Sequence, residues 1–475
     1  MISTDTKSKV LECLLAFIMM FLSVFGSYRV QAEELKETAT ENIENAINKT
    51  SDETEAITGE TADGEIITEE ITADDEIVTV DDEVTEDEKT TEKEFRAVWI
   101  AYYDYNDITE KDKESFTKAI GEMFDNAVSM GMNAVVVHVR PFGDAMYKSK
   151  YYPWSFYAAG QQGVSPGYDP LKIMVKEAHD RGLAIHAWLN PYRVTSTWNG
   201  GTDVTTLSKK NQARKWLTNK STKDDRYVLS YGGALYYNPS ISAVRKLIVN
   251  GVKEIVKNYD VDGIHFDDYF YPDLDKNYET NFDAPEYEKY KKKTIAAGEK
   301  PMTIAEWRKN NVNLLVKAVY KAVKSIDSDC IFGISPGGYI DYFDEEFRWY
   351  VDYRTWMSEE GYIDYICPQL YWTFNSRNIF PYNETLQRWC DAAKNENVRV
   401  YVGLPAYRMN TTSNISSLDK VTDTEWYNQY LLADMVRYMR KNDRTSGFIM
   451  FDYSDLVAEK NKKAVAALTE EILSE

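Results

Sequence analysis

The sequence predicts a (β/α)8 barrel, and three observations lead there. From Phe95 onward, short apolar runs of strand character alternate in strict order, eight times, with amphipathic helical stretches. Most of those runs end on polar or aromatic residues, as expected at the C-terminal mouth of a barrel. The two longest connections, 191–240 and 270–303, follow predicted strands three and four and so lie on that same face. A doubly wound open sheet is the alternative. No Gly-rich phosphate-binding turn follows the first strand, which counts against it.

The barrel is expected over residues 95–475, after two segments of other character. Lys7 and Lys9 precede an apolar run from Leu14 to Phe25, and Val30-Gln31-Ala32 offers a small-x-small cleavage site. This is the layout of a secretory signal peptide over residues 1–32, and it implies a secreted or surface-held protein. An uncleaved anchor is the alternative, although the run is short against the ~20 residues a span requires. Only in that case is a membrane a partner. Residues 33–94 carry 24 acidic and 4 basic side chains, with no aromatic. Such a segment buries too little to fold and reads as a disordered, self-repelling linker. The formal charge of −22 is therefore mostly a property of the linker, and no basic patch in the chain points to nucleic acid.

Within the barrel the strands are expected at 95–101, 133–139, 184–189, 263–267, 331–335, 365–370, 398–404 and 447–451. Helices are expected at 114–130, 170–181, 241–258, 304–325, 385–394, 424–441 and 457–473, with 345–357 the weakest pattern. Cys330 and Cys367 fall in apolar runs. With Cys390 they read as free thiols, since neither a disulfide framework nor a metal-type spacing is present.

The fourth strand carries the chemistry. Side chains alternate between the faces of a strand. In Gly263-Ile264-His265-Phe266-Asp267, the apolar Ile264 and Phe266 face the helices, while Gly263, His265 and Asp267 face the barrel axis. Asp267 becomes the last inward residue, at the mouth, followed by Asp268 and Tyr269. Other strand ends add to the same rim. Arg140 and Asp144 follow strand two; His186, Trp188, Asn190 and Arg193 lie along and beyond strand three; Gln369, Tyr371 and Trp372 close strand six. Aromatic faces among hydrogen-bonding groups suit a sugar ring, with its apolar faces and polar edge.

Glycoside hydrolysis needs two carboxyl groups, one to protonate the leaving oxygen and one to attack the sugar or activate water. Asp267 is the candidate nucleophile or base. Asp268 is the second catalytic candidate, although in an extended chain its side chain should diverge from Asp267. Glu306 is a further possibility, weighed against an ordinary helix-start acid. His138, His186 and His265 with Asp267 would, if they converged on a metal, support a metal-dependent polysaccharide deacetylase instead. No HxH or HxxxH spacing supports a metal, and no cofactor is expected. A catalytically silent glycan-binding barrel is the remaining alternative.

From Phe95 to the C-terminus the chain resembles the glycosyl hydrolase-like 10 family of bacterial exported proteins. The resemblance is carried by Phe95-Arg96-Ala97-Val98-Trp99-Ile100, Val139-Arg140-Pro141 with Gly143-Asp144-Ala145, and His186 through Arg193. It continues through Asp262 to Pro272, Trp307-Arg308 with Asn311-Val312-Asn313, Gly333-Ile334-Ser335-Pro336, and Pro368-Gln369-Leu370-Tyr371-Trp372. The resemblance implies a (β/α)8 barrel, a glycosidase-type site at the end of strand four, and an envelope or extracellular glycan as substrate, the glycan strands of peptidoglycan included. Gly337-Gly338 and His138 depart from the family pattern, and the glycines imply a locally wider pocket. A looser likeness to the DGxDxDxE strand end of chitinase-type barrels covers Asp262 and Asp267. His265 and Tyr269 replace its other acids, so geometry alone is shared there.

Overall fold

The structure is a computed structural model that describes residues 93–274, 281–344, 348–376, 381–411 and 422–474. The predicted signal peptide and nearly all of the predicted acidic linker lie outside the described residues. Glu94 already belongs to the barrel: its carboxylate pairs with Arg440 at 2.8 Å, and its carbonyl accepts from Asn133. Among the described residues no helix is long and apolar enough to cross a membrane.

Eight parallel strands close a barrel in sequence order: β1 (Phe95–Ile100), β2 (Ala134–Arg140), β3 (Ala184–Leu189), β4 (Gly263–Asp267), β5 (Ile331–Ser335), β6 (Tyr365–Ile366), β7 (Arg399–Pro405) and β8 (Thr445–Phe451). Each is followed by a helix: α1 (Lys113–Ser129), α2 (Pro170–His179), α3 (Ser242–Asn258), α4 (Ile304–Lys324), α5 (Tyr353–Ser358), α6 (Tyr382–Ala392), α7 (Leu431–Met439) and α8 (Lys462–Leu473). Local chemistry sets several of their starts. Asp112 caps α1 by accepting from Ser115 N–H, and Asp169 caps α2 ahead of Pro170. Helix α1 then buries Phe116, Ile120, Phe124 and Ala127, spaced to form one stripe against the sheet.

The alternation read in β4 holds. Ile264 and Phe266 pack in the layer between barrel and helices, each worth about 1.5–3 kcal/mol of burial. Trp99, Trp188, Tyr365 and Tyr401 fill the interior. Glycine makes room for these rings. A Cβ on Gly263 would stand 2.6 Å from His186 Cδ2, and one on Gly333 would enter the Tyr365 ring.

Several elements differ from the sequence expectation. Strand β6 is two residues long because Pro368 has no N–H for the ladder; beyond it Gln369 N–H bonds Pro336 and Leu370 N–H bonds Gly403 individually. Helix α7 starts at Leu431, not near 424, because Asn428 turns its side chain onto Tyr430 N–H and interrupts the helix. The long connection after β3 holds an unpredicted hairpin, Val228–Tyr231 with Ala234–Tyr237. Its turn residues, Gly232 and Gly233, have φ of +54° and +76°, the left-handed pair that a type I′ turn requires. The weak pattern at 345–357 resolves into a 3-10 turn, Arg348–Tyr350, and α5, with positive φ at Trp349 and Tyr350 breaking the helix between them; residues 345–347 lie outside the described residues. All three cysteines of the barrel are buried and free.

Candidate active site

The end of β4 is a carboxyl pair. Asp267 and Asp268 are 8% and 7% exposed. Asp267 Oδ1 accepts the N–H of Asp268 at 2.8 Å, and the two carboxyls also share a side-chain hydrogen bond. The expected divergence of Asp268 is thus corrected: the strand ends at Asp267, so the next residue leaves extended geometry and folds its side chain back. Burial raises both acids above the usual carboxylate range. Asp268 is raised further by the charge of Asp267, whereas Asp267 is held back by the hydrogen bonds from Asp268, by the Arg193 charge and by the Gln369 amide. The two buried carboxyls therefore titrate as a coupled pair, both raised and Asp268 the more strongly.

The nearest groups come from four loops. Gln369 Nε2 donates to Ser335 O at 3.2 Å and approaches Asp267 Oδ1 at 3.4 Å. Gly337 N–H donates to Asp268. Arg193 lies over the rings of Tyr269 (4.8 Å) and Phe142 (5.3 Å). Tyr371, stacked near Phe451 and edge-on to Tyr407, lies within the field of both acids. Tyr102, in the loop after β1, responds to both Arg193 and Asp267. Sequence reasoning missed Tyr102 because it follows a strand end by two residues, in a 3-10 turn with no motif of its own.

The glycines at 337 and 338 do not widen the pocket. A Cβ on Gly337 would meet Trp349 at 3.0 Å. One on Gly338 would meet Trp372 at 2.7 Å and the Gln369 carbonyl closer still. The space is already filled by those rings, and Trp372 packs there with Tyr339 and Tyr342.

Other candidates lie beneath the mouth. Arg140 is 0% exposed, over the Tyr152 ring and donating to Pro191 O, so it braces the loops after β2 and β3. Asn190 donates to Pro141 O in the same brace. Asp144 is buried, accepts from Gln162, and is pushed by burial to about 6. Glu306 closes a capping box with Thr303 and is held below its usual range by those bonds.

His265 and His186 are committed to the interior. Trp99 Nε1–H donates to His265 Nε2 at 3.1 Å, so a neutral His265 keeps its proton on Nδ1 and donates to Tyr365 Oη at 2.8 Å. Tyr365 then gives its own proton to His186 Nδ1 at 3.0 Å. Burial keeps both rings neutral, His265 well below its usual range and His186 at about 4. His138 stacks on Trp188 at 3.7 Å. The set His138, His186, His265 and Asp267 does not converge, and among the described residues no three His, Cys, Asp or Glu side chains are grouped to hold a metal ion. Trp188 stays at the floor with its Nε1–H unpartnered.

A second acidic group lies on the β8 side. Asp452 accepts from Tyr103 Oη at 2.5 Å, and neighbouring Asp104 is raised to about 7 by burial and then by the Asp452 charge.

A closed (β/α)8 barrel with a buried carboxyl pair and an aromatic rim is the arrangement of a glycan-acting, hydrolase-like protein. The sequence profile of the family described as glycosyl hydrolase-like 10 matches residues 94–420, and the chain belongs to that family. It is 36% identical over 385 residues to glycosyl hydrolase YngK of Bacillus subtilis, covering 77% of this chain and 69% of that one. It is 33% identical over 377 residues to glycosyl hydrolase DigH of Escherichia coli, covering 74% and 79%. The glycoside hydrolase domain of PgaB (BpsB) from Bordetella bronchiseptica shares the fold, with a TM-score of 0.50 at 13% identity over 78% of this chain and 98% of that domain.

Proposed function

We propose that the protein is a secreted or surface-held glycoside hydrolase that cleaves an envelope or extracellular glycan, the glycan strands of peptidoglycan among them. The observation that carries this reading is the buried, mutually bonded Asp267–Asp268 pair at the mouth of the barrel. Asp268 is the proton donor for the leaving oxygen. Asp267, on the same side, stabilises the positive charge that develops at the anomeric carbon, while water attacks from the opposite face and releases its proton to solvent. Hydrogen-bonded carboxyls are closer than the ~5–5.5 Å of an opposed retaining pair. The two acids therefore act from one side of the bond. The half-buried Gln369 and Arg193 oppose the rise that burial causes in Asp267, and Tyr269 and Tyr371 line the rim. The names of the two relatives support hydrolysis.

The test is mass spectrometry of products after the full-length protein, wild type beside Asp267→Asn, meets a glycan panel that includes peptide-free peptidoglycan strands. New reducing ends with wild type alone are expected. Retention of one glycan without cleavage would establish the silent binding barrel instead.

A further inference from the structure

Trp198 is 49% exposed, yet its position is built. It stands on a turn after β3 in which Ser196 and Asn199 exchange backbone hydrogen bonds of 3.2 and 3.1 Å. Gly201 N–H returns to Ser196 O at 2.9 Å, and Thr195 Oγ1 bonds Gly201 O at 2.6 Å. Gly200 and Gly201 adopt φ of +86° and +52° to permit this knot. A turn so braced holds a large apolar ring outside the core, where unaided burial would draw it in.

One face of Trp198 stacks on Tyr102, with centroids 5.6 Å apart and planes at 24°, and Phe142 meets it edge-on at 5.9 Å. Tyr102 in turn lies in the field of Asp267 and packs on His138 at the mouth. The aromatic surface is thus continuous from the carboxyl pair to the exposed indole.

We propose that Trp198 is the stacking platform of an outlying sugar subsite, which binds the apolar face of a pyranose ring at a distance from the cleaved bond and so selects polymeric glycan over short fragments. This rests on the hydrolase reading above. Stacking on an indole of this exposure is worth about 1.4 kcal/mol, or roughly tenfold in binding.

The test compares wild type, Trp198→Ala and Trp198→Phe on long and short oligomers of the glycan found cleaved, with urea unfolding midpoints to establish equal folding. The ratio of kcat/KM for long over short oligomers should fall roughly tenfold in Trp198→Ala, through KM, and recover in part in Trp198→Phe. An unchanged ratio overturns the platform. Calorimetric binding of long oligomers to Asp267→Asn, with and without Trp198→Ala, separates the two readings. Binding that depends on Trp198 in a protein whose wild type cleaves nothing sinks the hydrolase reading and leaves the platform standing.

Discussion

Asp267 and Asp268, adjacent in the chain, meet again through a hydrogen bond between their carboxyl groups. Both acids are raised, so ionising the second one costs the folded state stability that is lost as pH rises through its folded value. The pair is a strained device kept in place by the loops around it.

Replacing either member should relieve that strain and stop the chemistry. Asp268→Asn is expected to lower kcat by about 10²–10⁴-fold, the usual worth of a general acid, and to remove the alkaline limb of the pH–rate profile. It should also raise the urea midpoint at pH 8. A variant that keeps the wild-type alkaline limb would show that Asp268 is not the donor.

Asp144 gives a separate pH signature. It is 1% exposed and sits at about 6 against 3.8 in the unfolded chain. Its folded value is raised, so the protein loses stability between about pH 4 and pH 6, on the order of 3 kcal/mol. Asp144→Asn keeps an acceptor for Gln162 and should flatten urea unfolding across that window. Equal slopes for wild type and variant would count against the burial account.

Gly338 and Gly337 should differ sharply. Gly338→Ala puts a methyl against the Gln369 carbonyl and should cost at least ~2 kcal/mol, an overpacking penalty. It should also cut activity by moving Gln369 from Asp267. Gly337→Ala meets only a ring edge at 3.0 Å and an Asp268 oxygen at 3.5 Å, and should be the milder change. Urea melts and kcat on the same glycan check both.

Arg308 and Asp283, each 0% exposed, pair at 2.5 Å, and Arg308 also donates to Tyr350 Oη at 2.6 Å. They tie the loop after β4 to the loop after β5 behind Tyr271, whose ring lies 5.7 Å from the guanidinium. Asp283→Asn leaves a buried cation without its partner and is expected to destabilise by about 3–5 kcal/mol, read as a lowered urea midpoint.

The barrel was legible because its signal is periodic. A strand end such as Gly263–Asp267 shows by alternation alone which residues face helices and which face the axis. Depth along the axis is not periodic, and there sequence reasoning overreached. His265 and Asp267 share a face, yet one lies in the interior with Trp99 and Tyr365 while the other reaches the mouth. Arg140 closes β2 and Arg193 lies just beyond β3; one is sealed under Tyr152 and the other lies between rings at the rim. The fold-back of Asp268 was hidden because it depends on where the strand stops and on the amide of Gly337, far along the chain on the next strand's loop. The Gly232-Gly233 turn, by contrast, was readable and simply overlooked.

The single hydroxyl of Tyr365 serves two imidazoles, and its ring occupies the space that Gly333 leaves open. No one of these residues can be exchanged alone without a stranded proton or a collision. Lineages descended from this barrel should therefore alter its interior in blocks or leave it untouched. The rim above is bound by no such coupling at Trp198 or Tyr371, so divergence in what the family grips can accumulate one substitution at a time over an inherited floor.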